Sequence, residues 1–290
     1  MKAAIFAKLP VHLWRTGILK LSPAAVFRIF AAWRSCPGSL AFLAEAAAVR
    51  SPSVVALCDD EGPMTFSALH DAWESLAFRL CGEFRLGPGR QVVLVGRNDR
   101  SFVIGLLAAV RTGADVLLAN PGSPPKLLDE LLSSHRVDLV LHGEDQVLGA
   151  GAQELSRLPL APALWAMKGG PLCLPKLRAP GRLAVLTSGT TARAKRVNRR
   201  PRLGEVLPAM MGLLEALPIT VGAPTVLAVP LFHGHGLATL AIALAFAAPL
   251  YTGRKYEVAP LLLRCPAAAR PIVVSVPTLL LRWLETAPLR

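Results

Sequence analysis

One stretch of the chain decides its fold, Leu183-Ala184-Val185-Leu186-Thr187-Ser188-Gly189-Thr190-Thr191-Ala192-Arg193-Ala194-Lys195. An apolar strand runs into five small residues, and a lysine follows. Small hydroxyl residues and glycine let backbone N–H groups approach a polyphosphate closely, and a lysine adds positive charge. The stretch lacks the G-x-x-x-x-G-K pattern, and a Ser/Thr-rich turn after a strand is common without any ligand. Composition alone therefore leaves a phosphate-binding loop and a plain turn both open.

On both sides of this stretch, apolar strands alternate with helical segments. The predicted strands are 53–58, 91–95, 116–119, 137–141, 183–187, 225–229, 248–251 and 272–276. The predicted helices are 66–84, 101–112, 124–134, 203–217, 237–247, 258–264 and one from Pro277, with Gly113 as a C-cap. This alternation predicts an α/β fold whose mostly parallel sheets are covered by crossover helices.

The first 50 residues differ from the rest in charge, because they hold seven Lys or Arg residues and a single acid, Glu45. Two apolar and basic segments flank Ser22-Pro23. They predict an amphipathic arm over residues 1–50 that rests either on an anionic membrane or on its own domain. Residues 51–290 are then one domain, with an irregular connector near 143–181 that holds five prolines and six glycines.

Charge and cysteine content narrow the class of protein. A formal charge of +13 favours acidic partners such as phosphates or an anionic membrane, although an arginine-rich surface alone produces the same excess. The sequence has no recognition-helix, zinc-finger or RNA-binding pattern, so we expect no nucleic-acid partner. The five cysteines are widely spaced without a C-x-x-C pair, which fits a reducing cytoplasm. Lysines and arginines interrupt the N-terminal apolar runs, so the sequence predicts no signal peptide.

A second stretch that carries chemistry is Val229-Pro230-Leu231-Phe232-His233-Gly234-His235-Gly236-Leu237. A lone histidine in an apolar setting is more often a packed or capping residue than a catalyst. His233 and His235 have no evident third ligand, so we predict no protein-held metal site there.

The order of residues in the two stretches resembles the adenylate-forming family, which includes acyl-CoA synthetases, luciferases and peptide-synthetase adenylation domains. The first stretch resembles the family's T-S-G-T-T-G-x-P-K-G, and the second its P-L-F-H-x-x-G-L. Ala192, Ala194 and Arg196 depart from the first pattern. If position 192 needs a positive φ, alanine costs about 1 kcal/mol there and weakens ATP binding. Arg97-Asn98 and Val276-Pro277-Thr278 match weaker family segments.

The resemblance implies a reaction and roles for particular residues. An acid and ATP would give an acyl-adenylate and pyrophosphate, and CoA would then form a thioester, so the implied cofactors are ATP, Mg²⁺ and CoA. The phosphate-binding residues would be Thr187, Ser188, Gly189, Thr190, Thr191 and Lys195. His233 would be the catalytic residue, between the acyl pocket and the adenylate. The apolar helix after Gly236 and the basic arm favour a fatty acid over an amino acid as the substrate.

The resemblance also implies two stacked βαβ-type subdomains and a family length of about 500 residues or more. The family's Y-G-x-T-E and T-G-D motifs do not occur in these 290 residues. We therefore expect no pyrophosphate release from the chain alone. Three alternatives stay open: a truncated or split synthetase completed by a C-terminal polypeptide, a gene remnant, and a non-catalytic binding or membrane-associated protein.

Overall fold

A computed structural model describes residues 10–149, 155–166, 174–187, 195–196 and 212–286 of the protein. The strands are β1 (Val55–Asp59), β2 (Gly62–Thr65), β3 (Gln91–Val95), β4 (Asp115–Ala119), β5 (Leu139–His142), β6 (Arg157–Pro159), β7 (Leu183–Thr187), β8 (Lys195–Arg196), β9 (Thr225–Ala228), β10 (Leu250–Tyr251) and β11 (Ile272–Ser275). The helices are α1 (Pro23–Ser35), α2 (Leu40–Arg50), α3 (Phe66–Gly82), α4 (Arg100–Thr112), α5 (Pro125–Ser134), α6 (Ala163–Ala166), α7 (Gly234–Ala245), α8 (Val258–Leu262) and α9 (Pro277–Thr286).

The strands form two mostly parallel sheets. The first has five strands in the order β11-β9-β10-β1-β2, and the second has six in the order β6-β5-β3-β4-β7-β8. Two pairs are antiparallel, β1 with β2 and β7 with β8, and the other pairs are parallel. An antiparallel edge strand on an otherwise parallel sheet is common in α/β proteins. The predicted α/β class with mostly parallel sheets is confirmed.

Helices fill the space between the sheets and cover their outer faces. The central core joins residues of α2, α3, α4 and α7 to inner residues of both sheets, such as Leu94 and Leu227. On the opposite face of the six-stranded sheet, Val93 and Val95 pack in one cluster with Leu128 and Leu132 of α5. The central strand β3 is therefore buried on both faces, as its run of branched residues predicts.

Capping groups mark where the helices begin and end. The side chain of Thr65 accepts a hydrogen bond from the N–H of Ala68 at the start of α3. Helix α4 ends at Gly113, whose φ of 83° lies in the left-handed region that glycine tolerates best. This confirms Gly113 as the predicted C-cap. Helix α7 begins at Gly234, three residues before the predicted start, because His233 is its extended N-cap residue.

Several short elements differ from the sequence-based expectation. Strand β2 occupies Gly62–Thr65, where Gly62-Pro63 predicts only a turn. Proline lacks the N–H that a central strand needs, but β2 is an edge strand and tolerates Pro63. Strand β6 and helix α6 lie in the predicted irregular connector. Of the helix predicted at 203–217, residues 212–216 are described and helical, and the earlier part lies outside the described residues.

The described part of the predicted N-terminal arm contains a helical segment at residues 10–15 and the helices α1 and α2, which differ in their surroundings. Ala41, Ala44 and Ala47 of α2 are buried in the central core, so α2 packs between the sheets. Ser22 caps the N-terminus of α1, because its Oγ accepts a hydrogen bond from the N–H of Ala25. Helix α1 buries Ala32, while most of its large side chains are exposed. Within the described residues, no helix is long and apolar enough to cross a membrane.

Candidate functional site

The phosphate-loop residues predicted from the sequence follow β7 at one edge of the six-stranded sheet. The parallel register pairs Val95 with Ala119 and Leu118 with Val185, so β3, β4 and β7 point their carboxyl ends to the same edge. The backbone of Thr187 pairs with that of Lys195. The chain therefore leaves β7 at this edge and returns to it at Lys195. Ser188, Gly189, Thr190 and Thr191 lie outside the described residues.

The predicted catalytic histidine lies just after β9, at the carboxyl edge of the five-stranded sheet. His233 is exposed and extended, and its imidazole caps no N–H of α7. Its ring centroid is 4.6 Å from that of the buried Phe232. Partial burial lowers the pKa of His233, so the imidazole is neutral at neutral pH. The stability that comes with the neutral form is present above the ordinary pKa of about 6.5 and is lost as the pH falls below it.

Asn98 connects the carboxyl edges of the two sheets. It follows β3 and is fully buried. Its Nδ2 donates to the carbonyl oxygen of Val229 at 2.7 Å and to the hydroxyl of Thr252 at 3.2 Å. Its Oδ1 accepts from the N–H of Leu231 at 2.7 Å. One side chain thus fixes the segment that leads to His233 against the end of β3, the strand next to β4 and β5 in the other sheet.

Ion pairs surround this junction. Asp59, at the end of β1, accepts hydrogen bonds from the backbone N–H of Arg100 at 2.7 Å and from its guanidinium, and its side chain is fully buried. Nearby, Arg254 pairs with Asp99 at 3.2 Å and with Asp145 at 3.6 Å. Burial raises the pKa of the Asp99 carboxyl, although it accepts hydrogen bonds from Phe102 and Arg254. These pairs join loops of both sheets along one edge.

Sequence reasoning missed the roles of Asn98 and of the Asp59–Arg100 pair. The family resemblance marked Asn98, but it indicated no partner for this residue. An acid at the end of a predicted strand and an arginine at the start of a predicted helix were the available signal for the second pair. Val276-Pro277-Thr278 follows β11, whose Ser275 pairs with Ala228 of β9, so this weaker match lies beside the same edge. The described residues contain no group of three or more His, Cys, Asp or Glu that could hold a metal ion.

Gly236 sets the turn that carries His233. A Cβ atom at Gly236 would overlap the carbonyl oxygen of Pro230 and lie 2.9 Å from Cα of Leu231. Both are backbone atoms, so the neighbours cannot yield by a change of rotamer. We predict that Gly236→Ala lowers the free energy of unfolding by about 3 kcal/mol, measured by urea denaturation.

Gly234→Ala is the matched control for this substitution. The position has no atom within 4 Å of an added Cβ and lies in the same helix. Alanine favours helix over glycine, so we expect a change of less than about 1 kcal/mol in either direction. Equal losses for the two variants would contradict the close approach of Gly236 to the Pro230 carbonyl.

Comparisons with known proteins place the chain among its relatives. The sequence is 35% identical over 190 residues to phosphinothricin tripeptide synthetase PhsB of Streptomyces viridochromogenes, covering 60% of this chain and 16% of that protein. It is 30% identical over 193 residues to the oxalate–CoA ligase of Arabidopsis thaliana, covering 60% of this chain and 37% of that protein. The chain thus spans well under half the length of these two curated relatives.

A solved structure shares the fold. The o-succinylbenzoate CoA synthetase of Bacillus subtilis, in complex with an acyl-adenylate intermediate, superposes with a TM-score of 0.71 at 19% identity. The match covers 84% of this chain and 64% of that one. A sequence model of the family described as AMP-binding enzyme matches residues 44–290, which include both motif stretches and the Asn98 junction. The chain therefore belongs to the AMP-binding enzyme family, the adenylate-forming synthetases and ligases.

Proposed function

We propose that this chain binds the β- and γ-phosphates of ATP at the loop between β7 and β8, as the N-terminal part of a ligase that forms an acyl-adenylate. The observation that carries the proposal is the return of the chain from Thr187 to Lys195 at the carboxyl end of a parallel strand. Ligands of open α/β sheets bind at this edge. The loop is rich in hydroxyl donors, Ser188, Thr190 and Thr191, and it ends at an ammonium group.

In the proposed reaction, an oxygen of the substrate carboxylate attacks the α-phosphorus of ATP. The bond from that phosphorus to the bridging oxygen breaks, and pyrophosphate leaves with the negative charge that develops. Lys195 and the loop N–H groups would stabilise this charge, since fixed donors aimed at developing charge lower the barrier. The hydrogen bonds of Asn98 would hold the His233 segment in place during this step.

The carboxylic acid would lie beside His233. Its neutral imidazole adds no charge that would compete with Lys195 for the phosphates, and it would gate the acyl pocket. Helix α7 buries Leu240, Ala243 and Leu244. Its less buried side carries the small residues Ala238, Ala241 and Ala245, and also His235 and Ile242. We infer that this side faces an apolar acyl chain, which favours a fatty acid. The oxalate–CoA ligase and the o-succinylbenzoate CoA synthetase named above act on other acids, so titration with several acids identifies the substrate.

Residues beyond these 290 would supply the rest of the active site, from a continuing chain or from a complementing C-terminal polypeptide. Mg²⁺ neutralises phosphate charge when it is bound with ATP, and we assign no protein ligand to it. CoA as the thiol acceptor follows from the acyl-CoA synthetase resemblance alone. A non-catalytic binding protein on this fold is the second candidate, and it is favoured by the departures of Ala192, Ala194 and Arg196 from the family's phosphate-loop pattern. Neither candidate releases pyrophosphate from these 290 residues alone, so the assay that separates them measures pyrophosphate release after a polypeptide that carries the Y-G-x-T-E and T-G-D motifs has been added.

Lys195→Ala tests the proposal directly. A charge-assisted hydrogen bond from lysine to phosphate contributes about 1.5–3 kcal/mol, so we expect the Kd for ATP with Mg²⁺ to rise about tenfold to a hundredfold. Titration calorimetry at millimolar nucleotide measures this change. Repeating the titration with dodecanoate, oxalate or an amino acid present identifies the acid that tightens ATP binding.

Lys176→Ala is the matched control, because it removes the same charge at the opposite edge of the sheet. Lys176 is exposed, and the neighbouring Pro175 accepts a hydrogen bond from Arg111 near the C-terminal end of α4. We expect its Kd for ATP to stay within twofold of the wild-type value. Equal Kd values for the wild type and Lys195→Ala would show that the loop does not bind the phosphates.

A further inference from the structure

Helix α1 presents an apolar and aromatic face to solvent. Ala32 is buried and Ala25 and Ile29 are half-buried on the side that faces the protein. The opposite side carries large side chains that are 52%, 73%, 54% and 49% exposed, namely Val26, Phe27, Phe30 and Trp33. We call these four residues the α1 outer face. Apolar side chains on a fixed helix that point away from the core mark an interaction surface.

The charges near the α1 outer face are mostly positive, although the Glu45 carboxylate of α2 interacts with Arg28. Arg28 and Arg34 are exposed on the same helix, and the Arg34 guanidinium lies 6.0 Å from the centroid of the Phe30 ring. No Asp or Glu occurs in the sequence before Glu45. A basic helix with exposed Trp and Phe matches the interface of an anionic bilayer, where the rings enter the headgroup region and the guanidinium groups pair with phosphates.

The segment before α1, residues 10–20, also exposes apolar and basic side chains. Residues 10–15 are helical, and Trp14 is 67% exposed. Arg15 and Lys20 are exposed beside it. Helix α1 is held by α2, which is buried in the central core, so its outer face is fixed relative to the two sheets.

We propose that the α1 outer face binds the surface of an anionic lipid membrane and thereby docks the protein peripherally. A second copy of the chain fits this surface poorly. Face-to-face packing of two α1 helices would bring Arg28 and Arg34 of each copy close to like charges, and the chain carries a formal charge of +13. Phosphate-bearing lipids supply both the apolar layer and the negative charge that the face lacks.

Vesicle flotation of the full 290-residue chain tests the proposal. We expect binding to vesicles of phosphatidylcholine with about 30% phosphatidylglycerol and at least tenfold weaker binding to pure phosphatidylcholine, because each basic residue near an anionic surface strengthens partitioning about fivefold. Arg28→Gln with Arg34→Gln should weaken binding to the anionic vesicles about 25-fold. Arg178→Gln with Arg270→Gln removes the same two charges from exposed sites elsewhere and should change it less than twofold.

A separate variant tests how much the aromatic side chains contribute to vesicle binding. Phe27→Ser with Phe30→Ser and Trp33→Ser should reduce binding at least tenfold, while Leu263→Ser, at a residue that is 87% exposed, should leave it unchanged. Circular dichroism checks that each variant is folded. Equal wild-type binding to neutral and anionic vesicles would overturn the proposal. The proposal would also be overturned if the protein bound no vesicles and formed a dimer in analytical ultracentrifugation. In that case the dimer would survive in the Arg28→Gln with Arg34→Gln variant and dissociate in the aromatic variant.

Discussion

Arg100→Met is expected to lower the free energy of unfolding by about 3–5 kcal/mol, because it leaves a buried carboxylate without its cation. The side chain of Asp59 is fully buried and that of Arg100 is 14% exposed. The guanidinium also donates to the carbonyl oxygen of Gly62 at 2.7 Å, so its loss leaves an acceptor without its donor. Methionine keeps most of the side-chain length and removes only the charge and the donors. Urea denaturation of the purified variant measures the loss.

An exposed pair in the same protein provides the control. Arg79 and Glu83 form a two-point pair within α3, with distances of 2.8 and 2.9 Å. Since exposed pairs contribute little, Arg79→Met should change stability by less than about 1 kcal/mol. The double variant Asp59→Asn with Arg100→Met should be more stable than Arg100→Met alone, because it removes the orphaned charge. A double variant less stable than the single one would contradict this explanation.

Asn98→Asp is expected to lower the free energy of unfolding by about 3–5 kcal/mol and to release the segment that leads to His233. The substitution keeps the shape of the side chain but replaces the Nδ2 donor with an oxygen. That oxygen would face the carbonyl oxygen of Val229, 2.7 Å from the present nitrogen, in a fully buried site. Faster amide exchange at Leu231 would report the release of the segment.

Asn120→Asp is the control for this substitution. Asn120 is exposed, and its Oδ1 accepts a hydrogen bond from the N–H of Gly122, a bond that a carboxylate oxygen also accepts. We expect a change within about 0.5 kcal/mol. If Asn98→Asp were as mild as Asn120→Asp, Asn98 would not be the group that joins the two sheets.

The sequence predicts an element well where its local pattern is compatible with only one type of secondary structure. Strands β3 and β7 have the predicted bounds, because an apolar run of five residues between polar or glycine-containing segments is too short for a buried helix. Strand β2 was missed because Gly62-Pro63 indicates a turn, and only its edge position makes the strand possible. The strand pairing of Lys195 with Thr187 needs the tertiary fold and has no local signature.

In the candidate site too, local motifs can be predicted from the sequence and long-range contacts cannot. The loop after β7 and the His233 segment could be located from the order of their residues, because both resemble family motifs. The contacts that hold the carboxyl edges of the two sheets together could not be located in this way. Asn98 bonds to Val229 and Leu231, more than 130 residues away along the chain, and Asp59 bonds to Arg100, 41 residues away. Hydrogen bonds between residues so far apart in sequence follow from the packing of the two sheets, which no local pattern specifies.

In the proposed function, the loop after β7 and the His233 segment form one nucleotide site. Hydrogen exchange measured with and without ATP and Mg²⁺ is the most direct test of this shared site. We expect ATP to slow exchange in peptides covering 186–196 and 229–236, and to leave residues 113–116, at the amino end of β4, unchanged. In Lys195→Ala at the same nucleotide concentration, both effects should shrink together. Slowed exchange in only one of the two segments, or in neither while ATP binds elsewhere, would contradict a shared site.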